Sequence, residues 1–118
     1  MRRAIRTRTA ELFACYRDAP CGPHGAQPSR VILALAVGTD GEVGAPRALS
    51  VTHYRWDGET LEPLAGDPTE PLARCLERAL AGLRTEVPPA APTEVRYPVA
   101  PDVTSCEGRA IPREHADR

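Results

Sequence analysis

Residues 31–37 are seven consecutive apolar residues, bounded by Ser29 and Gly38. A run this short, closed by turn formers, predicts a buried strand rather than a helix. Alternate residues of a strand share a face. Val31, Leu33, Leu35 and Val37 are then directed at the main core, and Ile32, Ala34 and Ala36 face the other way. That second face carries no charge, so it is either covered or held for a partner. Asp40-Gly41 follows at once and predicts a type I′ hairpin, whose two central residues need positive φ. The second strand begins at Val43, is interrupted by Gly44 and Pro46, and resumes over residues 47–54. Proline within a strand marks an edge or a bulge, and a bulge here would reverse the faces of Leu49 and Val51.

Two stretches have helical period. In residues 5–18, Leu12, Cys15, Tyr16 and Ala19 fall at i, i+3, i+4 and i+7, and Pro20 stops the helix. Residues 21–28 are a loop rich in turn formers, and residues 56–67 a second connection with Asp57-Gly58 as a turn. Asp67-Pro68-Thr69-Glu70 predicts a capped helix start, with Asp67 as cap, Pro68 at the first helical position and Glu70 closing a capping box. Its apolar stripe is Leu72, Cys75, Leu76, Ala79, Leu80 and Leu83, ended by Gly82 and Pro88-Pro89. Leu33, Leu35, Leu76 and Leu80 are the predicted centre of the core. A last strand, residues 93–99, alternates Val95, Tyr97 and Val99 with Glu94 and Arg96, and Pro98 places one of its sides at a sheet edge. The order predicts an α+β fold, two helices on one face of a three-stranded antiparallel sheet (α-β-β-α-β). It fills residues 1–100 and leaves a polar tail, residues 101–118.

Composition narrows the function. At 118 residues the chain is one domain, and with 4% aromatics its core is aliphatic. A net charge of −1 argues against a nucleic-acid surface, although Arg2, Arg3, Arg6 and Arg8 crowd the first residues. No stretch approaches the roughly 20 apolar residues of a membrane span. The first ten residues lack the apolar core of a signal peptide. The expectation is a soluble chain without its own export signal, cut from something longer.

Four cysteines allow three pairings. Cys15 and Cys75 lie on the apolar stripes of the two helices, as buried thiols or as a bridge. Cys21 and Cys106 lie in loops near the chain ends, as a second disulfide or as free thiols. Cys21-Gly22-Pro23-His24 has one cysteine of a thioredoxin-type motif, but its fourth residue is His24 and no helix follows. Cys21, His24 and Cys106 lack the close paired spacing of structural zinc ligands. His53 and His115 have no evident partner, and Asp57, Glu59 and Glu62 read as a solvated loop. The expectation is no catalytic residue, no metal and no cofactor.

Several short motifs, in order, resemble the TonB-type C-terminal domain in its AgmX/PglI variety. They are Cys15-Tyr16, the strand and hairpin of residues 31–43 with Asp40-Gly41-Glu42-Val43, and Leu72 with Cys75. Val87-Pro88-Pro89 and Val95-Arg96-Tyr97-Pro98-Val99 complete the match, over residues 11–99. Ser29 stands where the family often has Gly, and the link over residues 53–67 is longer than usual. The resemblance implies a Cys15–Cys75 disulfide. It also implies a non-catalytic protein–protein interaction module of the Gram-negative cell envelope, periplasmic or associated with the outer membrane. Its protein partner would bind by strand addition at Glu94, Val95, Arg96 and Tyr97, or through the bare sheet face. Against this stands a guarded edge, blunted by Glu94, Arg96 and Pro98. The alternative function is a small disulfide-stabilised metal-binding or redox domain using Cys21 and His24.

Overall fold

Alternation in the apolar run fixes the centre of the molecule. In the computed structural model, which describes residues 1–17 and 27–100, that run is strand β1 (Arg30–Val37). It lies inside an antiparallel sheet with β2 (Arg47–Trp56), β3 (Leu61–Ala65) and β4 (Thr93–Val99), in the order β3-β2-β1-β4. Among the described residues three helices, α1 (Arg2–Arg6), α2 (Thr9–Cys15) and α3 (Pro71–Ala79), accompany the sheet. The fold is α+β as expected, but the sheet has four strands rather than three.

The extra strand is β3, which falls in the stretch read as a connection. Five residues with Pro63 and Glu62 among them give no clear period, and the pairing partner supplies what the pattern lacks. The Asp57-Gly58 turn is the hairpin that makes it. Asp57 Oδ1 accepts the N–H groups of Thr60 and Glu59, both at 2.8 Å, and those donors hold its carboxyl below the usual range. Glu62, expected in a solvated loop, pairs with Arg55 at 2.7 Å across the two strands.

The first hairpin has a different turn from the one predicted. Asp40 does not have positive φ; only Gly41 does, at +85°. Gly41 N–H donates to the Gly38 carbonyl and Gly38 N–H to the Glu42 carbonyl, both at 2.9 Å. This is a three-residue loop ending in a left-handed glycine, so a single positive φ suffices. Gly41 is doubly constrained, because a Cβ there would also lie 3.0 Å from the Thr85 carbonyl oxygen. β2 then carries the bulge that Pro46 pointed to. The register shifts between Ile32 and Leu33, with Leu33 opposite Ala48 and Ile32 opposite Ser50, leaving Leu49 as the extra residue. Ala48 and Val51 consequently both face the core. The Ala48 N–H is taken by the Glu77 carboxylate of α3 at 2.8 Å.

The first predicted helix is two. Thr7 Oγ1 donates to the Ala4 carbonyl and Thr9 Oγ1 to the Arg6 carbonyl, a local competition that weakens helix continuity. Arg8, at the break, donates to the Ala79 and Ala81 carbonyls at 3.0 and 2.9 Å. A guanidinium there complements the negative end of the α3 dipole. α3 starts at Pro71, later than the predicted cap. Pro71 disfavours helical backbone at the residue before it, and Glu70 is extended, with ψ 154°. Asp67 instead turns the chain, accepting the Thr69 N–H at 2.8 Å, while Glu70 reaches back to the Asp67 N–H as a capping-box glutamate does.

Leu33, Leu35, Leu76 and Leu80 are all 0% exposed and centre the core between sheet and helices. Ala73, outside the predicted stripe, is buried there too. A disulfide joins Cys15 to Cys75, with Cα atoms 5.7 Å apart and a sequence separation of 60. Closing a loop of that length contributes about 4 kcal/mol in the chain-entropy picture. Asp18, Ala19, Pro20, Cys21, His24, Cys106, His115 and the tail lie outside the described residues. Truncating Leu35 or Leu76 to alanine is expected to cost about 2–5 kcal/mol each. Urea denaturation measures this, and a loss no larger than that of an exposed-site control such as Arg78→Ala would contradict the packing.

Candidate functional site

A strand directs the backbone groups of alternate residues to opposite sides, so one hydrogen bond fixes the sense of a ladder. Gly44 N–H donates to the Ala36 carbonyl at 2.8 Å, on the β2 side of β1. The even-numbered residues of β1 therefore address β2, and Val31, Leu33, Leu35 and Val37 address β4. Their partners in β4 are Val99, Tyr97, Val95 and Thr93. These spend their N–H and C=O groups inward. Glu94, Arg96 and Pro98 direct theirs off the sheet, where no further strand lies among the described residues. Pro98 has no N–H to offer, which suits an outward position.

The four residues expected to bind a partner thus divide into two pairs. Val95 and Tyr97 turn their side chains to the helices and pack against the core, half-buried. Glu94 and Arg96 are exposed on the outer face, 3.5 Å apart as an ion pair. Beside the edge, on the helix side, runs a groove of about 250 Å³ lined by Ile5, Thr9, Leu12, Phe13, Tyr97 and Val99. Phe13 is 52% exposed, unusual for an aromatic beside a core. At the other end of β4 an open hollow of about 720 Å³ lies between the hairpin and Pro92 to Glu94.

β3 bounds the sheet on its far side but is a poorer template. Gly66 N–H donates to the Val51 carbonyl, so Leu61, Pro63 and Ala65 face outward. The proline sits in the middle and interrupts the row of donors.

A second polar cluster lies inside the fold. His53, expected to lack a partner, is buried between Ser29 and Glu70. Its Nε2 lies 2.9 and 3.0 Å from the two Glu70 oxygens, and its Nδ1 lies 2.6 Å from Ser29 Oγ. A carboxylate only accepts, so Nε2 donates to Glu70, and Nδ1 shares a hydrogen bond with the Ser29 hydroxyl. Tyr16 donates to the Ser29 carbonyl at 2.8 Å. Burial pushes its phenol above the ordinary value, so it stays a donor. Gly66 makes room for this cluster, since a Cβ there would fall 2.7 Å from His53 Nε2. Serine, histidine and glutamate in line have the composition of a nucleophile relay, but Ser29 is 1% exposed and no substrate carbonyl can approach it. The cluster is a brace. Sequence reasoning missed it because Ser29, His53 and Glu70 are brought together only by the sheet and the entry to α3.

Among the described residues no three His, Cys, Asp or Glu side chains gather as a metal site. No described helix is long and apolar enough to cross a membrane. Comparison of the chain with protein-family models, with curated proteins and with solved structures finds no match.

Two measurements check these assignments. At micromolar concentration, amide hydrogen exchange should alternate along β4, fast at Glu94 and Arg96 and slow at Val95 and Tyr97; uniform protection would mean a covered edge. His53→Leu should lower stability by about 1–3 kcal/mol, because the buried Ser29 hydroxyl loses its hydrogen-bond partner. An unchanged denaturation midpoint would remove the brace from the account.

Proposed function

We propose that this protein is a non-catalytic protein-binding domain that takes up an extended segment of a partner as an added strand on β4. One observation carries the reading: the backbone groups of Glu94 and Arg96 point off the sheet beside a groove bordered by an exposed phenylalanine. An added strand gains main-chain hydrogen bonds from the edge, and its alternate side chains find specificity in flanking pockets. Here the side chains on the helix side would meet Phe13, Thr9 and Ile5, and those on the other side Glu94 and Arg96. The expected ligand is an extended peptide with an apolar residue for the groove.

The setting we propose is the bacterial cell envelope. It rests on the resemblance to TonB-type C-terminal domains, which pass contacts between membrane-bound partners. The Cys15–Cys75 bond supports it, because disulfides persist in oxidising compartments.

The register supplies a selective test. Arg96→Pro removes an outward donor and leaves the ladder to β1 whole, whereas Val95→Pro would strike the inner ladder. Peptides selected on the wild-type domain from a displayed random library should lose binding at least tenfold to Arg96→Pro while circular dichroism stays unchanged. Phe13→Ser should weaken the same peptides. Full retention of binding by folded Arg96→Pro would exclude strand addition at β4.

A further inference from the structure

The outward positions of β4 are Glu94, Arg96 and Pro98, and one alternate step before the strand stands Pro92. We propose that this edge is self-complementary, and that a second copy of the chain occupies it when no peptide does. This rests on the strand-addition reading, since it uses the same backbone groups.

Let two copies of β4 run antiparallel about a two-fold axis through Val95. Glu94 then stands opposite the second copy's Arg96, and Arg96 opposite the second copy's Glu94. These are the outward, hydrogen-bonding positions, so each such pair exchanges both N–H···O bonds. Their side chains share the outer face and meet as opposite charges, the favourable case for residues directly across a ladder. Each currently pairs within its own strand, at 3.5 Å, and changes partner without losing a counter-charge. The next outward pair is Pro98 opposite the second copy's Pro92. Neither has an N–H, so the register orphans no donor on either side. On the helix side Val95 meets its own counterpart, and Tyr97 meets Thr93.

Edge charges usually repel further strands. Repulsion between identical edges needs like charges opposite one another, and this register opposes unlike ones. Two copies in this register would form a continuous eight-stranded sheet, twice the four strands of one. A net charge of −1 adds little long-range repulsion between copies. The contact is far smaller than a standard interface, so the dissociation constant should be weak, on the order of 0.1 mM. Weak pairing of this kind shields the edge and yields to a peptide that also fills the groove.

Sedimentation equilibrium at 0.15 M salt, from about 10 µM to 1 mM protein, brackets that constant. The wild-type mass should rise from 12.7 kDa towards twice that value. Glu94→Arg alone and Arg96→Glu alone should each remain at the monomer mass, because each opposes like charges. The double exchange, Glu94→Arg with Arg96→Glu, should dimerise again. An equimolar mixture of the two single variants should dimerise too, since each then faces its opposite. Both positions are exposed, so the fold is not at stake. A wild-type protein that stays monomeric throughout overturns the proposal, as does a single variant that dimerises like wild type or a mixture that does not. Peptide binding by the same samples separates the two readings. A monomeric wild type whose peptides are still lost in Arg96→Pro defeats self-pairing alone, while peptides retained in Arg96→Pro defeat use of the edge by any strand.

Discussion

The hydrogen-bond chain from Tyr16 through Ser29 and His53 to Glu70 determines how the elements of this protein meet. It starts at the end of α2, crosses the beginning of β1 and the middle of β2, and finishes at the entry to α3. Ser29 and His53 are buried, and a buried polar group left unpaired costs about 1–3 kcal/mol. A slip of any one element would orphan at least one of them. Hydrophobic burial drives the helices onto the sheet, but it is weakly directional. The polar chain supplies the direction, with the disulfide one residue from Tyr16 and Arg8 at the far end of α3.

The sheet inherits its asymmetry from this arrangement. β1 has neighbours on both sides and contributes the fully buried Val31, Leu33 and Leu35. α3 packs against β2 and sends Glu77 into its bulge. β4 receives less cover, so Val95 and Tyr97 stay half-buried and a groove remains beside them. The prolines divide the two edges in character. Pro63 interrupts β3 at its middle, whereas Pro92 precedes β4 and Pro98 lies near its end, which leaves Glu94 and Arg96 between them as usable backbone.

The legible parts of the sequence were those where one local rule acted without competition. Residues 31–37 read as a buried strand, and the stripe from Leu72 kept helical period to Leu80, where α3 stops short of the expected end at Gly82, so the four central leucines followed. Where two rules competed, the sequence pattern was insufficient. Asp40-Gly41 satisfies several turns, and the ladder chose the one needing a single positive φ. Asp67 and Glu70 both look like caps, and Pro71 settled which residue begins the helix. β3 is a strand because Trp56 and Arg55 have something to pair with, a property of the hairpin and not of residues 61–65 alone. The candidate edge was visible as an alternating last strand. Its sense, which residues face outward, required the hydrogen bonds of β1.

The Cys15–Cys75 bond also sets the mechanical path through the molecule. Tension applied between residues 1 and 100 passes from α2 directly into α3 across the sulfur atoms. The intervening stretch, with β1, β2 and β3, carries no covalent load. Stretching the oxidised protein would peel β4 from β1 and unravel the segment after α3, but leave the hairpins as a closed loop. Reduction would release the enclosed stretch, whose ends are 60 positions apart in sequence, a gain in reach of roughly 200 Å at full extension. The redox state of one bond thus decides whether the domain behaves under force as a short tether or a long one.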